Sequence, residues 1–308
     1  YHIESAVFTH TMMVCKQAEN ASYEVRIAAL LHDIGKPSTR KVNPKNGRVS
    51  FFNHDAVSAF MALEIMNHLY LELTDDQKSH IFNLIALHTQ IYKLTNKQLS
   101  EIGDVELVTN LIELGKADHG GRFHTAGEAV IPTIEEVFPE LMSGVSSVKR
   151  SAQEKEVIVL VGLPNGGKST YRNGKDSFIV SRDDCILAEA MLRDTIPYNE
   201  SDYNNLWDKA DQKNVDRLLQ DRFKESKKWN NVIVDMTHMS KKSRRRSLSY
   251  YDSDYKKTCV VFLPDLLSIC ERNSKRKGKV IDNDIIQKMI RSFYPPTNAE
   301  FDEIVYIL

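Results

Sequence analysis

Two sets of residues in this chain have the types and spacing to do chemistry. The first is Gly162-Leu163-Pro164-Asn165-Gly166-Gly167-Lys168-Ser169-Thr170, in which two glycines separated by four residues are followed by Lys and Ser. In that spacing backbone N–H groups turn inward around phosphate oxygens, Lys168 reaches the β- and γ-phosphates and Ser169 holds Mg²⁺. Gly162, Asn165, Gly166, Gly167, Lys168, Ser169 and Thr170 are therefore read as the binding loop of ATP or another nucleoside triphosphate. The second set is His10, His32-Asp33, His54-Asp55, His88 and Asp118. A single histidine on an apolar face is ordinarily a hydrogen-bonded core residue. Four of them with carboxylates, each near a helix end or on an apolar helical face, are not explained that way. Imidazole and carboxylate without thiolate suit divalent Mn, Fe, Co, Ni or Zn. Two cations sharing a carboxylate suit in-line hydrolysis of a phosphoester.

More polar residues follow short apolar runs downstream of the loop. Ser177 to Val180 delivers Ser181-Arg182-Asp183-Asp184, and Val232 to Val234 delivers Asp235-Met236-Thr237. A carboxylate at Asp183, across from the γ-phosphate, can take a proton from an attacking hydroxyl, with Arg182 beside it on the substrate. Asp235, ending an apolar strand, is the usual further Mg²⁺ contact of such sites. Arg272 and Arg276 are four apart and share a helical face, from which they can neutralise a transferring phosphoryl group. Arg244, Arg245 and Arg246 read as a solvated basic run that a nucleic-acid backbone can also use. Lys36 either faces a substrate phosphate or is a solvated lysine.

These residues need two kinds of scaffold. Residues 1 to about 142 carry apolar positions three and four apart, as in Ile81, Leu84, Ile85 and His88, which predicts an α-helical bundle. Alternation there is confined to Arg48 to Phe52, after Asn46-Gly47. Gly35 and Pro37 stop the helix that ends in His32-Asp33 and leave both side chains at a turn facing the core. From Ser151 onward, candidate strands at Glu156 to Val161, Ser177 to Val180, Val232 to Val234, Thr258 to Leu263 and Ile304 to Leu308 alternate with helices, which predicts a parallel five-stranded α/β sheet with ligands at the carboxyl ends of its strands. The small and polar stretch Ser143 to Glu156 is the linker, and the boundary is placed so that residues 1–150 and 151–308 form two domains.

The 308 residues suffice for two cores, and 42% hydrophobic with 27% charged residues is ordinary globular composition. No apolar run approaches a membrane span and no signal segment opens the chain, so a cytoplasmic protein without membrane partners is expected. Cys15, Cys185, Cys259 and Cys270 are scattered, which argues against a disulfide framework. From Ser151 onward there are 27 basic and 24 acidic residues, against 14 and 18 before it. A nucleic acid would thus be held by local patches rather than by the field of the whole protein.

The first half resembles the HD-domain phosphohydrolases from Thr9-His10 to Ala117-Asp118. That resemblance implies His10, His32, Asp33 and Asp118 as ligands of one metal, with Asp33 as the bridging, catalytically central carboxylate, and His54 and His88 as the extra histidines of two-metal members. Asp55 and His119 are candidates for orienting the ligands; His2 and Arg122 are left without a role. The second half is similar to the phage-type 5′-hydroxyl polynucleotide kinases in G-L-P-N-G-G-K-S-T, S-R-D-D, I-V-D-M-T and R-N-S-K-R. The likeness implies Asp183 as general base, Arg276 with Arg272 as lid arginines, and Asp235 and Thr237 near metal and acceptor. It departs at Ile186, where that family often has an acceptor-binding Arg. An HD domain followed by this kinase resembles bifunctional end-healing enzymes, in which 2′,3′-cyclic or 2′/3′-phosphate ends are hydrolysed and 5′-OH ends of RNA or DNA are phosphorylated, leaving ends that a ligase can seal. The alternatives are an HD nucleotidase fused to a small-molecule kinase, and an ATP-gated nucleic-acid binding or sensing module.

Overall fold

The computed structural model describes residues 7–69, 71–122, 130–140, 155–194, 203–276 and 278–308. His2 and most of the expected linker lie outside them. The chain divides into two units, one of residues 1–149 with 290–299, the other of 150–289 with 300–308.

The first unit is helical: α1 (Val7–Gln17), α2 (Tyr23–Leu31), α3 (Lys36–Thr39), α4 (His54–His68), α5 (Asp75–Leu87), α6 (Asn96–Ser100), α7 (Val105–Gly120) and α8 (Ile134–Val137). The starts of these helices are written locally. Thr74 with Gln77, Thr95 with Gln98 and Thr133 with Glu136 form reciprocal capping boxes, and the Asp104 carboxylate accepts from the Leu107 N–H. The expected alternation near residue 50 is a two-stranded hairpin of β1 (Lys41–Val42) and β2 (Val49–Ser50). The core of α4 and α5 meets an aromatic ring supplied from far along the chain. Phe60 and Phe82 lie 5.1 Å apart edge to face, and Phe293 lies 5.5 and 5.3 Å from them. The same returning segment bonds to main chain, Asn298 N–H to Ile102 O and Ala299 N–H to Glu101 O, both at 3.1 Å. Residues 290–299, far beyond the expected boundary near residue 150, thus find partners in the helical unit.

The second unit is built on a five-stranded, all-parallel sheet in the order β4–β5–β3–β6–β7. Its strands are β3 (Lys155–Gly162), β4 (Phe178–Ser181), β5 (Asn231–Asp235), β6 (Tyr255–Phe262) and β7 (Glu303–Ile307). Fully buried Val157, Val159, Leu160, Val161, Ile233 and Val234 explain why the central strands read as continuous apolar runs. β6 begins earlier than its apolar run because Lys256 finds cross-strand partners in Glu156 and Glu303, so charge can sit within the strand. The helix Arg182–Asp194 follows β4 directly, and the helix Leu266–Lys275 follows β6 after Pro264, with the Asp265 carboxylate accepting from the Ser268 N–H.

Candidate functional site

In the helical unit, helix ends gather the histidines. His32 caps the C-terminus of α2, Asp33 lies in the turn after it, His54 opens α4, His88 caps α5, and His10 and Asp118 come from α1 and α7. Gly35 permits the key approach: a Cβ there would lie 2.7 Å from Ser58 N and 2.8 Å from His54 O. The Gly35 N–H instead donates to Ser58 Oγ at 2.9 Å, bringing the start of α4 against the Asp33 turn.

Asp33 is the centre. Its Oδ2 is 3.2 Å from His32 Nε2 and 3.6 Å from His10 Nε2, and its Oδ1 is 3.2 Å from His54 Nε2 and 3.8 Å from His88 Nε2. Asp118 Oδ1 lies 2.9 Å from His10 Nε2 and 3.8 Å from His32 Nε2. His10, His32 and Asp33 form one group able to hold a cation, and Asp33, His54 and His88 form another. Asp33 is common to both.

Each ring is fixed from behind. The Nδ1–H groups of His10, His32, His54 and His88 donate to the main-chain oxygens of Gly121, Ala29, Phe51 and Ile85 at 3.2, 2.8, 2.8 and 2.7 Å. A carbonyl only accepts, so in each neutral ring Nε2 carries the lone pair, the form that ligates metals. His54 Nε2 and His88 Nε2 then face each other at 3.2 Å, two lone pairs that repel unless a proton or cation lies between them. His32 Nε2 is buried, facing Asp33 Oδ2 at 3.2 Å and Asp118 Oδ1 at 3.8 Å without the geometry of a hydrogen bond to either. These residues fit one or two divalent cations. Burial and the neighbouring His54 and His32 rings push His88 down to about 4, so it is neutral at physiological pH. Burial acts to raise the Asp33 carboxyl, but His32, His54 and Lys36 outweigh it and hold the group well below the usual carboxylate range.

Several neighbours are also placed. Lys36 is 6% exposed and paired with Asp33, so it is not a solvated lysine. Asp55 accepts from Thr89 Oγ1 at 2.7 Å rather than from a ligand ring. Arg122 pairs with Asp118, and Tyr92 donates to Asp118 Oδ2 at 2.7 Å. Nothing in the spacing around Tyr92 marks it, because its partner lies 26 residues away on another element.

In the second unit, the loop after β3 opens a cleft of about 1670 Å³ over the carboxyl ends of the strands. Gly162 has φ +148°, and a Cβ there would meet Phe262 O at 2.8 Å, so the turn out of β3 requires glycine. Asn165, Gly166, Gly167, Lys168, Ser169 and Thr170 line the cleft together with Arg182, Asp183, Asp235, Thr237, Arg272 and Arg276. Lys168 donates to Gly162 O at 2.8 Å and Leu163 O at 2.6 Å. Its burial, with Lys279 and Arg276 adding positive charge, lowers it to about 8 against the pull of Asp235 and Asp183. Asp235 is paired with Arg172 at 3.2 Å, and burial raises its carboxyl.

Arg276 and Arg272 both reach Asn165: Arg276 donates to its Oδ1 at 2.8 Å and Arg272 to its carbonyl at 3.1 Å. Asn165 Nδ2 donates to Asn273 Oδ1 at 3.1 Å, and Asn273 also bonds both ways with the Ile281 backbone. Asp183 is paired with Lys279. Sequence reasoning missed Asn273 and Lys279, although both fall in the polar run after Ile269 that was read for its arginines alone. Arg182 is bound to Asp216 at 2.6 Å and Gln212 at 2.9 Å. Arg244 corrects the solvated reading of its run: it is fully buried and bonded through two nitrogens to Glu300 at 3.1 and 2.9 Å. Ile186 is also fully buried, in a core cluster with Cys185, Ala190, Leu206 and Val215, and it does not line the cleft.

Residues 7–118 match the family model described as HD domain, and residues 157–296 match the one described as AAA domain. The chain thus carries a helical HD domain followed by a P-loop domain of the kinase-like α/β kind. Among curated proteins, the A-adding tRNA nucleotidyltransferase of Deinococcus radiodurans is 31% identical over 191 residues, covering 54% of this chain and 40% of its own length. The CC-adding tRNA nucleotidyltransferase of Thermus thermophilus is 30% identical over 175 residues, covering 54% and 37%. The chain spans about two fifths of the length of these relatives. Among solved structures, the Pnkp1/Rnl/Hen1 complex contains a chain 22% identical to this one, with 44% of each chain covered and a TM-score of 0.25. Among the described residues no helix is long and apolar enough to cross a membrane.

Proposed function

We propose that the chain heals broken nucleic-acid ends, RNA foremost, by two phosphate chemistries. The P-loop domain transfers the γ-phosphate of a nucleoside triphosphate to a 5′-OH end. The HD domain hydrolyses 2′,3′-cyclic or 2′/3′-phosphate ends. The observation that carries the reading is the convergence of Lys168, Asp183, Asp235, Arg272 and Arg276 on one cleft, in a chain that also clusters four histidines around Asp33. Relatives named for adding nucleotides to tRNA support an RNA substrate.

In the kinase step, Lys168 exchanges its loop carbonyls for phosphate oxygens, and Arg272 and Arg276 neutralise the charge that gathers on the transferring group. Ser169 and Asp235 would hold Mg²⁺. Asp183, released from Lys279, accepts the proton of the attacking hydroxyl, while Thr237 faces the acceptor. In the HD site, His10, His32, Asp33 and Asp118 would hold one divalent cation, and Asp33, His54 and His88 a second. Bound there, the cations would supply Lewis acidity toward the phosphoryl group. Lys36, held beside Asp33, supplies a cationic donor for a phosphate oxygen. Tyr92 and Arg122 hold Asp118 in place from its other oxygen.

The test is incubation of the protein with ATP, Mg²⁺, Mn²⁺ and a labelled oligoribonucleotide bearing a 5′-OH and a 2′,3′-cyclic phosphate. Both ends are expected to change, and an oligonucleotide left untouched at both overturns the proposal. The core position of Ile186 favours one competing reading, a kinase for nucleosides or mononucleotides, which faster transfer to those acceptors than to oligonucleotides would establish.

A further inference from the structure

Ile186 raises a physical question: if the acceptor belongs to a nucleic acid, which residues bind its phosphates? The position that would carry an arginine is sealed in the core. The other side of the cleft offers a replacement. The helix Lys241–Leu248 begins shortly after Thr237, capped by Ser240, whose hydroxyl accepts from the Ser243 N–H. Lys242, Ser243, Arg246, Ser247 and Tyr250 line the cleft from this arm. Lys242, Ser243, Arg246 and Ser247 have the spacing of a single helical face, and Tyr250 follows just past the helix end.

The same periodicity divides the basic run. Arg244 points inward to Glu300 and the His238 carbonyl, Arg245 is exposed without lining the cleft, and Arg246 is exposed along it. The buried pair of Arg244 and Glu300 anchors the arm while leaving Arg246 and Lys242 to face the cleft. Tyr250 adds an aromatic surface of fixed orientation, because its ring stacks on that of buried Phe223 at 4.3 Å and 10°. The nearby carboxylate of Asp216 is already paired with Arg182.

Cations beside a supported aromatic ring are the parts from which sites for single-stranded nucleic acid are made: phosphate is held by charge and a base by stacking. We infer that Lys242 and Arg246 bind a phosphate on the 3′ side of the attacking hydroxyl and that Tyr250 stacks against a base of the same acceptor strand. This rests on the kinase reading above and makes the accepted substrate class a phosphorylated strand rather than a free nucleoside.

The experiment uses the full chain and three acceptors: a 5′-OH nucleoside, its 3′-monophosphate and a 5′-OH oligonucleotide. Arg246→Ala is expected to raise KM for the last two by about tenfold, the loss of one charged contact, while leaving KM for ATP and the residual rate on the nucleoside unchanged. Lys242→Ala shifts the same values by less. The slope of log KM for the oligonucleotide against log salt should fall by about one for each phosphate contact removed. Tyr250→Ala raises KM for the oligonucleotide and Tyr250→Phe does not, which separates stacking from a role of the hydroxyl. Transfer to the oligonucleotide with unchanged KM in the Lys242→Ala/Arg246→Ala double variant overturns this inference alone. A wild-type protein that phosphorylates no 5′-OH strand overturns the kinase reading, and this inference with it.

Discussion

The four histidine rings of the HD domain are held from behind by main-chain carbonyls on the nitrogen that faces away from the site, whereas in the P-loop domain Lys168, Asp183 and Asp235 spend their own charged atoms on partners inside the cleft. The first arrangement leaves every Nδ1 bond intact when a cation enters between the Nε2 atoms. The second places Lys168 on its own loop carbonyls, Asp183 on Lys279 and Asp235 on Arg172, so a phosphate bound there as proposed would exchange with bonds inside the cleft. One site is organised by the fold before a ligand arrives. The other is organised by interactions that the proposed ligand would replace.

If the HD site depends on a rigid helical scaffold, loosening that scaffold should have the largest effect. Phe293→Ala removes the ring that completes the Phe60–Phe82 cluster and should cost the helical unit about 3–5 kcal/mol, read by denaturant unfolding of the full chain. A helical unit of unchanged stability in Phe293→Ala would show that its scaffold does not depend on the returning segment. In the P-loop domain, Lys168→Ala should lower phosphoryl transfer by about 10²–10³-fold while unfolding and phosphoesterase activity stay as in the wild type.

The smallest effect comes from the one described P-loop histidine that is held like the HD rings. His238 Nδ1–H donates to Leu160 O at 2.9 Å, and its Nε2 accepts from Ser247 at 2.8 Å. Burial, against the Leu160 bond and with Arg244 and Lys168 nearby, lowers it to about 4. The unfolded chain, at the ordinary value near 6.5, binds the proton first, so stability is full above about pH 6.5 and falls toward pH 4 by about 1 kcal/mol per pH unit. His238→Asn should flatten that slope in urea titrations at pH 6.5, 5.5 and 4.5. An unchanged slope would show that the ring is not held neutral.

Much of this was legible in the sequence because it is local or periodic. The five strands were announced by apolar runs, and the loop from Gly162 to Ser169 by its glycines, of which Gly162 and Gly167 take backbone conformations that favour glycine. The histidine set was legible as chemistry, because four rings and two carboxylates on apolar helices have few structural uses. What stayed hidden depends on contacts between distant residues. Phe293 looks like any apolar residue until its partners at 60 and 82 are known. Arg244 has the same sequence surroundings as Arg245 and Arg246, and only the turn of its helix and the carboxylate of Glu300 bury it. Asn273 reads as helix filling, yet it ties Asn165 to the backbone of Ile281.

The two independent phosphate chemistries proposed for this chain are separated by giving a single oligoribonucleotide with a 5′-OH and a 2′,3′-cyclic phosphate to the wild type, Asp33→Asn and Lys168→Ala. Both ends should be processed by the wild type, only the 5′ end by Asp33→Asn, and only the 3′ end by Lys168→Ala. Either variant losing both reactions while still folded, or losing neither, would contradict the proposed independence.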